Sequence, residues 1–303
     1  MVLGDRFTYI HEPKTGGTFV THVLSRLHGG LIDVPASRLR APALRLGLPS
    51  LAFHPERLRA TRHAENSAQA AYGPIYNWND HGTCSEIPIP HRSRTILATV
   101  RNPLQTYVSM FRFGWWKRPE YVPAYERTVP DFRDRYREFP DVSFRQYLEL
   151  LHAGCPLPGT RDLDNETGIG YLTERFVRFY FRLPRRFGVR PDAERVLSNL
   201  DGYVEGGRVR DEMFDIHFIR TSRLNRELFD FLRTAGYEVD DLAFVENLQR
   251  IVPVGGARAQ VVEREGCDWR QLYSAELEEL VRKRERLIFS LFPDLDGYAE
   301  TSA

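Results

Sequence analysis

Phe7-Thr8-Tyr9-Ile10-His11-Glu12-Pro13-Lys14-Thr15-Gly16-Gly17-Thr18-Phe19-Val20-Thr21-His22-Val23-Leu24-Ser25-Arg26-Leu27 changes its period part-way, and that change decides the fold. Residues 7–10 read as a short strand. Phe19, Val20, Val23, Leu24 and Leu27 then recur at the three- and four-residue spacing of one helical face. Pro13 and the pair Gly16-Gly17 separate the two patterns, and Gly29-Gly30 stops the helix. The segment is a strand, a glycine-rich loop and a helix.

Working outward, the same order recurs. Thr95-Ile96-Leu97-Ala98-Thr99-Val100 has the unbroken apolar and β-branched character of a strand buried on both faces, and Arg101-Asn102-Pro103 breaks it. Pro103 suits the first position of a helix that carries Leu104, Tyr107, Val108 and Phe111 on one side. Ile216-His217-Phe218-Ile219 is a third strand, followed by Ser222 as N-cap of a helix to Thr234 and by Gly236 as its stop. Leu31–Val34 and Ser50–Phe53 are further candidate strands. Such alternation predicts an α/β fold with a central parallel sheet flanked by helices in three layers, its ligand site at the carboxyl ends of the strands. The 303 residues suit a single domain, with an insertion or lid at about 114–170 where periodicity weakens. Ser274 to Phe292 reads as one core-docking helix.

A loop between a strand and a helix N-terminus aims several backbone N–H groups at one spot, where the helix dipole adds partial positive charge. Gly16 and Gly17 let the backbone approach an anion, and Thr18 is placed to cap the helix. Lys14 stands out because only three of the 42 basic residues are lysine. A compact, rotatable ammonium differs chemically from the guanidinium this chain otherwise uses. Lys14 precedes the glycines, so the loop is not the G-x-x-x-x-G-K-[ST] sequence of ATP-hydrolysing proteins.

Pro13-Lys14-Thr15-Gly16-Gly17-Thr18 resembles the 5′-phosphosulfate loop of sulfotransferases that use 3′-phosphoadenosine-5′-phosphosulfate (PAPS). With His11 included, it is most similar to the carbohydrate branch, which contains the heparan sulfate 2-O- and 6-O-sulfotransferases. That family's second signature, an Arg ending a central strand with a Ser eight residues on, is matched by Arg101 and Ser109. Thr106 departs from the pattern, where the family often has another Arg. The resemblance implies a P-loop-like fold, PAPS as co-substrate and 3′-phosphoadenosine-5′-phosphate (PAP) as product, without a metal. The nucleotide would be held by Pro13, Lys14, Thr15, Gly16, Gly17, Thr18, Phe19, Arg101 and Ser109, with the late loop Gly255-Gly256-Ala257-Arg258 closing over the 3′-phosphate.

Sulfuryl transfer, like phosphoryl transfer, passes through a loose in-line transition state, so Lys14 is suited to neutralise the departing phosphate oxygen. The resemblance puts the general base a couple of dozen residues before the Arg, and His81 lies 20 residues before Arg101. A hydrogen-bonded loop histidine is the competing reading of His81, and His54 and Glu12 are the other candidate bases. Trp115, Trp116, Tyr121 and Tyr125 with Arg112 and Arg118 suit either an acceptor wall or ordinary packing. The Arg-rich run from Arg175 to Arg190 suits an anionic acceptor or a solvated helix face.

The remaining alternatives are a nucleotide phosphotransferase on the same scaffold and a non-catalytic carbohydrate-binding protein. The expected partner is a carbohydrate or small hydroxylated acceptor. The balance of 42 basic against 41 acidic residues gives no global field for nucleic acid. Cys84, Cys155 and Cys267 form no ligand cluster, and no apolar run approaches the roughly 18 residues of a membrane span. Together these predict a cytoplasmic enzyme with no metal site, signal peptide or anchor.

Overall fold

The computed structural model describes residues 1–33, 72–78, 81–152, 168–183, 193–249, 251–254, 258–261 and 268–296. The chain is an α/β protein of two compact units, one from residues 1–101, 179–192 and 210–265 and the other from residues 102–178, 193–209 and 266–303. The strands are β1 (Val2–Leu3), β2 (Phe7–Ile10), β3 (Ile32–Asp33), β4 (Tyr76–Asn77), β5 (Thr95–Val100), β6 (Ile216–Arg220), β7 (Ile251–Val254) and β8 (Arg258–Val261). Helices of six residues or more are α1 (Gly17–Leu27), α2 (Pro103–Phe113), α3 (Val122–Thr128), α4 (Phe144–His152) and α5 (Tyr171–Tyr180). They continue with α6 (Leu200–Glu205), α7 (Leu224–Thr234), α8 (Val239–Glu246), α9 (Ala275–Arg284) and α10 (Arg286–Leu291).

In the first unit six strands form one sheet in the order β3-β4-β1-β2-β5-β6. β2, β5 and β6 run parallel in register, with Ile10 opposite Ala98 and Val100 opposite Arg220, so their carboxyl ends lie side by side. The sheet as a whole is mixed rather than parallel, because β1 is antiparallel to both β2 and β4. The cause is the length of the link: residues 4–6 are too few for a crossover, and Gly4 N–H bonds back to the Phe7 carbonyl at 3.1 Å to close a hairpin. α1, α7 and α8 cover the sheet. Phe19, Val20, Leu24, Leu228, Phe231 and Leu242 pack with Tyr9 and Leu97 in one apolar core. β7 and β8 form a separate antiparallel hairpin.

The start of α7 differs from the sequence reading. Ser222 does not cap it. Thr221–Arg223 form a 3₁₀ turn, Arg223 takes the cap position without a side-chain bond, and Glu227 in the first turn reaches back to accept the Arg220 N–H at 2.7 Å.

The second unit is helical. Asn102 caps α2 by accepting the Leu104 N–H at 2.8 Å, and Pro103 follows at the first helical position. From Gly114 to His152 the stretch is structured rather than aperiodic. It carries α3 and α4 around an aromatic cluster in which Trp116 and Tyr125 are fully buried against Phe111, Phe132, Phe139 and Tyr147. Aromatic spacing here encodes a core, which a search for helical periods in aliphatic residues misses.

The final helix is broken in two at Glu285. That side chain is fully buried, and its carboxylate accepts the N–H groups of Leu172 at 3.2 Å and Thr173 at 2.6 Å together with the Tyr107 hydroxyl. It thus caps α5 from a distance in sequence. Gly170 makes room, since a Cβ there would lie 1.9 Å from Glu285 Oε1. Burial raises the Glu285 carboxyl pKa above its usual range.

Candidate functional site

The site is built on the carboxyl ends of β2, β5 and β6, where an open α/β sheet presents its loops. The chain leaving β2 turns sharply. Lys14 at φ 69° and Gly16 at φ 99° both take left-handed backbone, a conformation found at ligand clamps and costly for lysine. Gly16, not Thr18, holds the N-cap position of α1, and its carbonyl accepts the Phe19 N–H at 3.0 Å. Among the described residues, the N–H groups of Thr15, Gly16, Gly17 and Thr18 donate to no protein acceptor. Four consecutive donors therefore remain at the positive end of an 11-residue helix.

The two glycines serve different needs. Gly16 requires the positive φ, and a Cβ there would meet Leu224 Cδ2 at 2.9 Å. Gly17 has an ordinary φ, but a Cβ would fall 1.9 Å from Cδ2 and 2.0 Å from Nε2 of the His11 ring. The His11 imidazole thus occupies the space that glycine leaves. It stacks on Tyr9 with centroids 6.2 Å apart and meets His81 edge-on at 5.3 Å.

The loop is fastened from behind by hydroxyls. Thr15 Oγ1 donates to the Glu12 carbonyl at 2.9 Å and lies 2.6 Å from Thr99 Oγ1, which lies 3.4 Å from the Tyr9 hydroxyl. Each hydroxyl has one proton, so Thr99 donates to Thr15 and Tyr9 donates to Thr99. Burial raises the Tyr9 pKa, keeping that donor protonated. Thr221 Oγ1, on the turn after β6, reaches the carbonyls of Thr15 at 2.7 Å and Val100 at 3.1 Å. Arg101, half-buried at the end of β5, extends Nη1 to 3.5 Å from the Lys14 carbonyl.

Pro13 to Thr18 and Arg101 are thus brought together. Phe19 is not part of the cradle: its ring is in the apolar core and its N–H is taken by Gly16. Ser109 lies on α2 in the second unit, half-buried. Arg258 opens β8 opposite Val254, and residues 255–257 lie outside the described residues.

His81 is exposed beside the loop, its Nδ1 3.4 Å from the His11 carbonyl. A carbonyl only accepts, so the proton belongs on Nδ1 and the basic lone pair on Nε2. Glu12 instead faces inward, 4 % exposed, and accepts the Tyr180 hydroxyl at 2.9 Å. Burial and then the Glu12 charge hold the Tyr180 pKa well above the usual phenol range. His54 lies outside the described residues.

Trp116 and Tyr125 are packing residues, with the Tyr125 hydroxyl donating to the Trp116 carbonyl at 3.0 Å. Within the Arg-rich run, Arg175 is buried and Arg178 pairs with buried Glu174 at 2.5 Å, while residues 184–190 lie outside the described residues. Among the described residues no group of three or more His, Cys, Asp or Glu is placed to hold a metal ion, and no helix is long and apolar enough to cross a membrane. Sequence reading missed Thr99, Thr221 and Tyr180; a signal was available for Thr99, a threonine interrupting an apolar strand, since a buried hydroxyl must find a partner.

Comparison with known proteins gives no matching family model, no matching curated protein and no matching solved structure.

Proposed function

We propose that the protein is a PAPS-dependent sulfotransferase acting on a carbohydrate or small hydroxylated acceptor. The observation that carries this reading is the run of four N–H donors at the start of α1 that have no protein acceptor among the described residues, preceded by Lys14 and flanked by Arg101. Such a cradle fits an anionic nucleotide tail. Lys14 and the loop amides neutralise charge on the leaving phosphate oxygen as the S–O bond breaks. Arg101 takes the 3′-phosphate. His81 Nε2 accepts the proton of the acceptor hydroxyl as its oxygen bonds to sulfur, while Nδ1–H stays on the His11 carbonyl.

The test is ligand-dependent melting followed by turnover. Adenosine 3′,5′-bisphosphate without metal should raise the melting temperature, and 5′-AMP should do so less, because it lacks the phosphate assigned to Arg101. Arg101→Ala should erase the difference between the two. Stabilisation by Mg-ATP alone would instead indicate a phosphotransferase. With labelled donor and a panel of sugars and hydroxylated metabolites, Lys14→Ala should abolish transfer. His81→Ala should lower turnover while leaving bisphosphate affinity near wild type. A wild-type protein that transfers nothing to any of the panel, yet binds sugars, is a carbohydrate-binding protein instead.

A further inference from the structure

We infer that Thr221 is a positioning residue for the anion-binding loop, acting from the turn after β6 without touching the nucleotide; this rests on the function proposed above. Thr221 belongs to neither of the motifs that carry the resemblance. Its hydroxyl nevertheless meets both of the segments that they define, at the Thr15 carbonyl (2.7 Å) and at the Val100 carbonyl (3.1 Å).

The consequence follows from peptide geometry. In a trans peptide the C=O and the following N–H lie in one plane and point in opposite directions. Holding the Thr15 oxygen against Thr221 therefore turns the Gly16 N–H away from the β6 turn. Arg101, by approaching the Lys14 oxygen at 3.5 Å, turns the Thr15 N–H away from its own guanidinium. Holding the Val100 oxygen sets the direction in which the chain carries Arg101 out of β5. One proton shared between two carbonyls thus aligns the amide cradle with the cation beside it.

Gly16 permits the contact. The place where its Cβ would stand is 3.6 Å from Thr221 Cγ2 and 3.8 Å from Thr221 Oγ1, so the threonine packs on the bare face of the turn. Thr221 is only half-buried, which makes it a small part of the core and a large part of this junction.

The experiment compares Thr221→Val, which keeps the shape and loses the proton donor, with Thr221→Ser, which keeps the donor. Bisphosphate affinity is measured by calorimetry and unliganded melting is recorded alongside. Thr221→Val should bind about tenfold more weakly, the equivalent of one hydrogen bond's net worth, and Thr221→Ser should restore affinity to within about twofold. Unliganded melting should hardly separate the two variants. If the valine protein does not fold, Thr221→Ala at this half-buried position supplies the same comparison. Wild-type affinity in the valine or alanine variant, or equal weakening in the serine variant, overturns the role of the hydroxyl while leaving the sulfotransferase reading intact. Absence of bisphosphate binding in the wild type overturns both.

Discussion

Gly17→Ala separates the stability of the loop from its chemistry. Its backbone is ordinary helix, so alanine brings no dihedral strain and gains about 1 kcal/mol of helix propensity. Against this, the new methyl would stand 1.9, 2.0 and 2.7 Å from Cδ2, Nε2 and Cγ of His11, where carbon contacts need about 3.5 Å. The ring must retreat by roughly 1.5 Å, and crowding of that kind costs about 1–3 kcal/mol. The net change in stability is then about 0–2 kcal/mol, a loss of a few degrees at most in melting temperature. The chemical effect is larger. Moving the His11 ring disturbs its stack on Tyr9 and its edge contact with His81, and a displacement near 1 Å at a reacting group costs about 100-fold in rate. Melting curves with and without adenosine 3′,5′-bisphosphate, together with turnover on any acceptor found, measure both parts. A Gly17→Ala protein with turnover within twofold of wild type would refute the reasoning, since the imidazole position would then be immaterial.

Other predictions concern the second unit and the protein's response to pH. His152 is buried with neither ring nitrogen hydrogen-bonded among the described residues, and burial, then the Arg284 charge, push its pKa down to about 3. The unfolded chain therefore binds the proton first. Stability should fall as pH drops from about 6.5 towards 3, by up to about 1.4 kcal/mol per pH unit, and His152→Leu should flatten this and raise the melting temperature near pH 5. Glu285 has the opposite sign. Its folded pKa is raised, so its contribution is fully present below the usual carboxylate range and is lost as pH rises above it; Glu285→Gln should flatten that limb of the melting profile. Glu285→Ala should be far worse than Glu285→Gln, because it strands the Leu172 and Thr173 amides and the Tyr107 hydroxyl, at about 1–3 kcal/mol each in denaturant titration. Trp116→Ala should cost about 3–5 kcal/mol in the same titration, as expected of a core residue rather than an acceptor contact.

Periodicity and punctuation were enough to locate β2, α1, β5, α2 and β6, because each is defined by residues within a few positions of one another. The mixed sheet was less visible: β1 has only two residues, too few to show alternation, although the short link after it already required an antiparallel turn. Glu285 broke an apparently continuous helix for a reason held 112 and 113 positions away, in the amides of Thr173 and Leu172. A helical pattern carries no sign of such a distant demand.

By itself the sequence determined an α/β chain with a strand, a lysine-bearing glycine loop and a helix, and pointed to Arg101 at the end of a second strand. Local propensity and turn chemistry act over a few residues, so those features need no knowledge of the rest of the chain. Only the tertiary structure decided what holds the loop in place. The partners of Thr15 and Glu12 lie 84, 168 and 206 positions away, at Thr99, Tyr180 and Thr221, and a hydroxyl shows its acceptor only when the sheet has brought the strand ends together.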